Sequence, residues 1–172
     1  MTHVRLISAT ILATALLASG AAAQEKLPKL AGEAPDAPPT SARYCSELRQ
    51  VTALAVSKGR FAPIAGKPRE GNYLDTTLPL PGWKDCSLYG PRTYSCDSAE
   101  LPSRAAAEAA QAATLVDFKA CLGPEWSEAP DRSSPNYVVL HAAGQPVSIT
   151  LSTDENGQKQ HVVRVIVFRR GN

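Results

Sequence analysis

Two segments of the chain carry apolar residues at the spacing of a helix. The first helix is expected to begin at Thr40 or Ser41 and to end at Gly59, because glycine readily adopts the conformation that follows a helix. Residues three and four positions apart share one face of a helix. Cys45 borders the apolar stripe of this helix, which consists of Tyr44, Leu48, Val51 and Ala55.

The second predicted helix has clearer limits. Ser103 can cap it, since a serine side chain accepts hydrogen bonds from the free N–H groups of a first turn. The alanine-rich run 105–113 has high helix propensity, and Gly123 followed by Pro124 ends the helix. Cys121 borders the apolar stripe, which consists of Leu115, Phe118 and Leu122.

Strand-like patterns dominate the rest of the chain. Segments 137–142, 146–152 and 160–169 predict three antiparallel strands after the second helix. Segment 86–96 predicts a β-hairpin between the two helices. The connection 60–82 is rich in proline and glycine, so we expect irregular chain with one short strand near 74–78.

The turn between the last two strands determines which residues face each other. A type I turn with Gly157 in the left-handed position of a bulge competes with a two-residue turn at Asn156 and Gly157. The second turn would shift the pairing by one residue and place Arg164 in the apolar layer. We therefore expect the bulged register, with the facing pairs Ile149 and Val163, Val147 and Val165, and Ser148 and Arg164.

The bulged register leaves an apolar strip on the other face of the last strand. Two interpretations stay open. Either the strand is central and covered on both faces, or the strip is exposed and marks a surface for a partner. The apolar residues of this strip are Val162, Ile166 and Phe168, and Arg164 lies on the same face.

The four cysteines predict two disulfides. Cys86 and Cys96 are equidistant from Pro91, and a three-residue turn at 90–92 would place them directly opposite each other, with Leu88 opposite Tyr94. Directly opposed residues have Cβ atoms about 4.5–5.5 Å apart, near the separation that a disulfide requires. By elimination, Cys45 pairs with Cys121. A structural zinc site is the rival explanation, but the chain has no C-x₂-C spacing.

These elements predict an α+β fold, with two helices packed on one face of a small antiparallel sheet. The expected order is helix, hairpin, helix and three strands, and the bridge from Cys45 to Cys121 ties the helices together. Residues 41–172 form a single domain in this prediction, preceded by a flexible, proline-rich leader at 24–40.

The first residues have the order of a secretory signal. Arg5 precedes a predominantly apolar run at 6–18, and Ala21 and Ala23 suit a signal peptidase. A membrane-spanning helix needs about 20 apolar residues, which exceeds the length of this run. We therefore predict a cleavable signal at 1–23, export to the periplasm or the medium, and no stable membrane insertion after cleavage. The alanine-rich, arginine-rich composition is typical of bacteria.

Charge and motifs exclude several functions. The chain has 18 basic and 16 acidic residues, and no clustered basic face that would indicate nucleic-acid binding. No P-loop, G-x-S-x-G or H-E-x-x-H motif is present, and bridged cysteines cannot act as nucleophiles. His141 and His161 each end a predicted strand, but no third ligand is spaced to complete a metal site. We expect no metal and no cofactor.

A small hydrolase remains an alternative, because paired carboxylates need only be close in space. The available acids are Asp85, Asp97, Glu125 and Glu128.

Aromatic residues surround the predicted hairpin. Trp83 and Trp126 either fill the core over the disulfides or anchor a partner, and we favour the core. Tyr89 lies next to the turn, where a rigid aromatic can anchor a protein or a sugar.

We therefore expect a non-catalytic interaction module of the bacterial cell envelope, an inhibitor, chaperone or adaptor, with a protein partner. A glycan-binding protein that uses Trp83 and Tyr89 is the other alternative. The expected binding residues are Tyr89, Gly90 and Arg92 at the hairpin, or Val162, Arg164, Ile166 and Phe168 on the last strand.

Overall fold

The computed structural model of the chain describes residues 44–170, which form two α-helices and one antiparallel sheet of eight strands. The fold is therefore mixed α+β, as expected. The predicted signal (1–23) and leader (24–40) lie outside the described residues. The helices are α1 (Cys45–Val56) and α2 (Arg104–Leu122). The strands are β1 (Ala65–Pro68), β2 (Tyr73–Thr76), β3 (Lys84–Tyr89), β4 (Thr93–Asp97), β5 (Trp126–Glu128), β6 (Tyr137–Ala142), β7 (Val147–Glu155) and β8 (His161–Arg169).

The strand order is β1-β2-β3-β4-β8-β7-β6-β5, so the last strand of the chain lies in the middle of the sheet. The prediction of a separate hairpin and a three-stranded sheet is wrong. β4 pairs with β8 along its whole length, from Thr93 opposite Phe168 to Asp97 opposite Arg164. This pairing merges the hairpin β3–β4 with the strands β6, β7 and β8 into one sheet.

Three short strands complete the sheet and change the predicted order of elements. In the connection 60–82, the short strand expected near 74–78 is present as β2, and β1, which was not expected, pairs with it to form a hairpin. β2 extends the sheet because Tyr73 pairs with Tyr89 and Leu74 with Leu88 of β3. β5 follows α2 and pairs with β6, where Trp126 lies opposite Ala142.

The register between β7 and β8 differs from the predicted one by four residues. An even shift leaves every side chain on the same face of its strand, since side chains alternate with a period of two. The apolar residues of both strands therefore face the core as expected, although their partners differ. The observed facing pairs are Ile149 and Val167, Val147 and Arg169, and Ser152 and Arg164.

A longer loop than expected causes this shift. The side-chain oxygen of Asn156 accepts hydrogen bonds from the backbone N–H groups of Gln158 (2.9 Å) and Gln160 (3.0 Å). Lys159, rather than Gly157, adopts the left-handed conformation, with φ of +61°. An asparagine side chain that imitates a turn in this way adds residues to the loop without leaving backbone groups unpaired.

The helices match the sequence patterns to different degrees. α2 has the predicted limits: the Ser103 side chain accepts a hydrogen bond from the Ala106 N–H (3.2 Å), and Gly123 has a φ of +94°. α1 ends at Val56, before the predicted Gly59, and its predicted first residues lie outside the described part of the chain. Neither helix within residues 44–170 has the length and apolarity to cross a membrane.

Both helices pack on one face of the sheet and are cross-linked there. The disulfide between Cys45 and Cys121 joins α1 to α2, as the sequence predicts. Beside it, the Arg49 Nε donates a hydrogen bond to the carbonyl oxygen of Cys121 (2.6 Å), which satisfies an acceptor at the end of α2. The Tyr44 ring packs against Phe118, with ring centroids 5.4 Å apart, and burial raises the pKa of the Tyr44 hydroxyl.

The second disulfide lies in the core and braces the hairpin β3–β4. It joins Cys86 to Cys96, and Leu88 lies opposite Tyr94, both as expected. The core between helices and sheet includes further sheet residues that are completely buried, namely Leu140, Val147, Ile149, Leu151, Val163, Val165 and Val167.

Removal of the two disulfides should destabilise the protein unequally. The Cys45–Cys121 bridge spans 76 residues and the Cys86–Cys96 bridge spans 10. From the lost loop-closure entropy, we expect the free energy of unfolding to fall by about 4.5 kcal/mol for Cys45→Ala/Cys121→Ala and by about 2.7 kcal/mol for Cys86→Ala/Cys96→Ala. Urea unfolding of both double variants measures the difference. An equal or larger loss for the hairpin pair would contradict this expectation.

Candidate functional site

The face of the sheet opposite the helices, which we call the open face, carries the candidate site. Its residues lie in three rows across the strands, because directly paired residues point to the same side. The first row contains Tyr73, Tyr89, Thr93 and Phe168. The second contains Ser87, Ser95, Ile166 and Thr150, and the third contains Asp97, Arg164 and Ser152.

The structure brings the two predicted binding groups together on this face. Tyr89 of the hairpin pairs with Thr93, and Thr93 pairs with Phe168 of the last strand. Ile166 and Arg164 follow Phe168 along β8, and these three side chains are half-buried. Val162 is buried and offers no surface. The predicted strip on β8 is therefore only partly exposed, and neither helix covers it.

Tyr73 is a member of the site that the sequence did not reveal. Its ring packs against Tyr89 with centroids 5.1 Å apart, and 47% of Tyr73 and 50% of Tyr89 are exposed. We call these residues the tyrosine pair. The sequence offered little to indicate Tyr73, because it lies in a glycine-rich stretch. The pairing of that stretch with β3 is visible only in the folded sheet.

The hairpin that carries Tyr89 is restrained by a disulfide and a hydrogen bond on its core side. Cys86 and Cys96 cross-link its strands, and the Tyr94 hydroxyl donates a hydrogen bond to the carbonyl oxygen of Leu78 (2.9 Å). Gly90 has a φ of +55° in the turn, a conformation that favours glycine. Gly90 therefore serves to close the turn beside Tyr89.

Two concavities flank the tyrosine pair. One, of about 910 Å³, lies over the rows of the open face, with Ser87, Ser95 and Ile166 at its base. The other, of about 550 Å³, lies at the tips of the hairpins β1–β2 and β3–β4. We call it the hairpin-tip groove, and besides the tyrosine pair it is lined by Pro68, Leu74, Pro91 and Arg92.

Arg164 forms a partly buried ion-pair network in the third row. Its Nε lies 2.7 Å from Asp97 Oδ1 and its Nη2 lies 2.9 Å from Asp97 Oδ2, while its Nη1 bonds to Asp154. The hydrogen bonds that Arg164 donates to Asp97 raise the pKa of Arg164 despite the opposing effect of burial. The side chains of Arg164 and Asp97 are only 27% and 12% exposed, so the pair is shielded from water.

A second network crosses the strands β1, β2 and β3. Arg69 lies 2.5 Å from both Asp75 and Asp85, and the hydrogen bond that it donates to Asp75 is the main cause that raises the pKa of Arg69. Asp85 occupies an irregularity of β3 and has a φ of +41°. A bulge of this kind redirects a side chain, here towards Arg69.

The acids proposed for hydrolysis are distributed between two regions. Asp85 and Asp97 both line the concavity over the open face, but their carboxylates bond to Arg69 and Arg164. Glu125 and Glu128 belong to the opposite edge of the sheet, where Glu128 pairs with Lys119 at 2.9 Å.

The two histidines do not meet. β7 lies between their strands, His161 pairs with Glu155 at one end of the sheet and His141 pairs with Ser148 near the other. Within residues 44–170, no group of three or more histidine, cysteine or acidic side chains is arranged to hold a metal ion.

The tryptophans occupy the core, as favoured from the sequence. Trp83 is 6% exposed and packs near Phe118, with ring centroids 6.1 Å apart, and Trp126 is 7% exposed. Trp83 therefore cannot present its ring to a sugar together with Tyr89, and that part of the glycan-binding hypothesis is wrong.

Comparison of the chain with models of protein families, with curated proteins and with solved structures finds no match.

The two arginine networks should differ in their contribution to stability. Arg164→Ala leaves the largely buried Asp97 carboxylate without its partner, so we expect the free energy of unfolding to fall by about 2–3 kcal/mol. Arg69→Ala, the matched control, breaks ion pairs whose side chains are 36–67% exposed and should cost less than about 1 kcal/mol. Urea unfolding at neutral pH measures both. Equal losses would show that the Arg164 network is no better shielded than that of Arg69.

Proposed function

We propose that this protein is a non-catalytic interaction module, exported to the bacterial cell envelope or the medium, that binds a protein partner through the tyrosine pair and the adjacent open face. The observation that carries the proposal is the pair itself. Tyr73 and Tyr89 are about half exposed beside two concavities. Tyr89 lies on the cross-linked hairpin β3–β4, and Tyr73 lies opposite it on the neighbouring strand β2.

Rigid exposed aromatics are effective anchors for a partner. A tyrosine offers a large apolar surface with few rotatable bonds, so little side-chain entropy is lost when a partner covers it. The contact between the rings of Tyr73 and Tyr89 restricts them further. Tyrosine is accordingly enriched among the residues that contribute most to the affinity of protein interfaces.

The size of the open face suits a protein partner. Eight strands at spacings of about 4.8 Å make a sheet about 34 Å wide, and three outward residues along a strand span about 13 Å or more. The resulting area of roughly 450 Å² is a little over half of the roughly 800 Å² that each partner contributes to a standard interface, and interfaces of this smaller size are typical of weak or transient complexes. A transient complex is consistent with these dimensions.

The disulfides support export. Both bridges join residues of the described fold and involve all four cysteines of the chain. Disulfides of this structural kind form and persist in oxidising compartments such as the periplasm. The cleavable signal predicted at 1–23 accords with that destination.

The two alternatives have weaker support. A hydrolase with Asp85 and Asp97 needs two carboxyl groups free to act on a substrate, whereas these two are engaged in ion pairs with Arg69 and Arg164. A glycan-binding site could use the tyrosine pair, but Trp83 is unavailable to it.

Binding of a partner should depend on Tyr89. We expect immobilised protein to retain a partner from cell-envelope extract, and Tyr89→Ala or Tyr73→Ala to reduce its recovery at least about tenfold, through loss of an anchor. Val116→Ala is the matched control, because Val116 is an exposed apolar residue (68%) on α2, away from the open face. Circular dichroism checks that each variant is folded.

Equal recovery of every retained protein by wild type and both tyrosine variants would refute the proposed site. A loss with Val116→Ala as large as the loss with Tyr89→Ala would refute it as well.

A further inference from the structure

Arg92 differs from the other arginines near the tyrosine pair. Arg69 and Arg164 each bind two carboxylates. Arg92 is exposed at the turn between β3 and β4 and, among the described residues, makes no ion pair or hydrogen bond. An unpaired guanidinium at the rim of a concavity can receive an anionic group, and a carboxylate fits its planar fork with two hydrogen bonds.

The rest of the hairpin-tip groove is mainly hydrocarbon. Pro68, Leu74 and Pro91 form its walls with the two tyrosine rings. Apolar walls of this kind receive aliphatic or proline side chains, and aromatic grooves are a common way to bind extended, proline-containing peptides. The lining also includes Asn72 and Thr93, which with Arg92 can satisfy the few backbone groups of a short extended peptide.

We infer that the hairpin-tip groove binds an extended peptide segment of the partner in which a carboxylate lies close to a proline or aliphatic side chain. The apolar side chain lies against Tyr73 and Tyr89, and the carboxylate pairs with Arg92. The groove, of about 550 Å³, has room for the side chains of a few residues only. A short linear segment therefore fits it better than a folded domain does. This inference rests on the proposed function and specifies the partner for the same site.

A library of random twelve-residue peptides displayed on phage, selected on the purified oxidised protein, tests the inference. Selection on Tyr89→Ala in parallel removes peptides that bind elsewhere. We expect the enriched peptides to combine an acidic residue with proline or aliphatic neighbours. Their synthetic counterparts should bind wild type in fluorescence anisotropy and should bind more weakly as the salt concentration rises.

Substitution of Arg92 provides the specific readout. Arg92→Gln should weaken binding of the selected peptides about tenfold, and Arg92→Lys should weaken it less, because lysine retains the charge without the planar fork. Arg132→Gln, which removes an exposed arginine outside the groove, is the control and should leave binding unchanged.

Three outcomes would overturn the inference: no enrichment over Tyr89→Ala, enriched peptides without acidic residues, or equal binding by wild type and Arg92→Gln. If wild type also retains an envelope protein and Tyr89→Ala does not, any of these results would refute only the inference that the partner binds through a peptide segment. The proposed function would then be unaffected. Binding of polysaccharide fragments in place of peptides would refute both.

Discussion

The pairing of β4 with β8 is the interaction on which the rest of the structure depends. It unites a disulfide-braced hairpin with the C-terminal strands and so places β8 at the centre of an eight-stranded sheet. The backbone groups of both strands are then satisfied on both edges, which an isolated hairpin could not achieve. The same pairing aligns Tyr89, Thr93 and Phe168 in one row, so it also creates the surface that we propose as functional.

Local signals were sufficient to predict several elements. Ser103 and Gly123 delimit α2 through capping chemistry, which acts within a few residues. The turn at 90–92 determines the facing of Leu88 and Tyr94, and with it the two disulfide pairings. Alternation along β8 correctly predicted the core face, since that pattern depends on burial and not on which residue lies opposite.

Long-range pairing was beyond these signals. The strands β1 and β5 are four and three residues long and gain their stability from neighbours in the sheet, so no periodicity marks them. The predicted register of β7 and β8 was wrong because a shift of four residues preserves the hydrophobic pattern. The turn formed by Asn156 decides between the two registers. The sequence did not indicate Tyr73 as a site residue, because its contact with Tyr89 forms only when β2 pairs with β3. In the candidate site, their position beside the predicted turn indicated Tyr89 and Arg92. The residues that surround them in the structure could be identified only from the fold.

A two-dimensional NOE spectrum of the oxidised protein tests the β4–β8 pairing most directly. Close contacts are predicted between backbone protons of Ser95 and Ile166 and between those of Tyr94 and Val167, since these residues pair directly. Their presence would establish that the hairpin and the last strand share one sheet and one open face. Their absence, together with rapid amide exchange along both strands, would contradict the single sheet and the proposed binding surface.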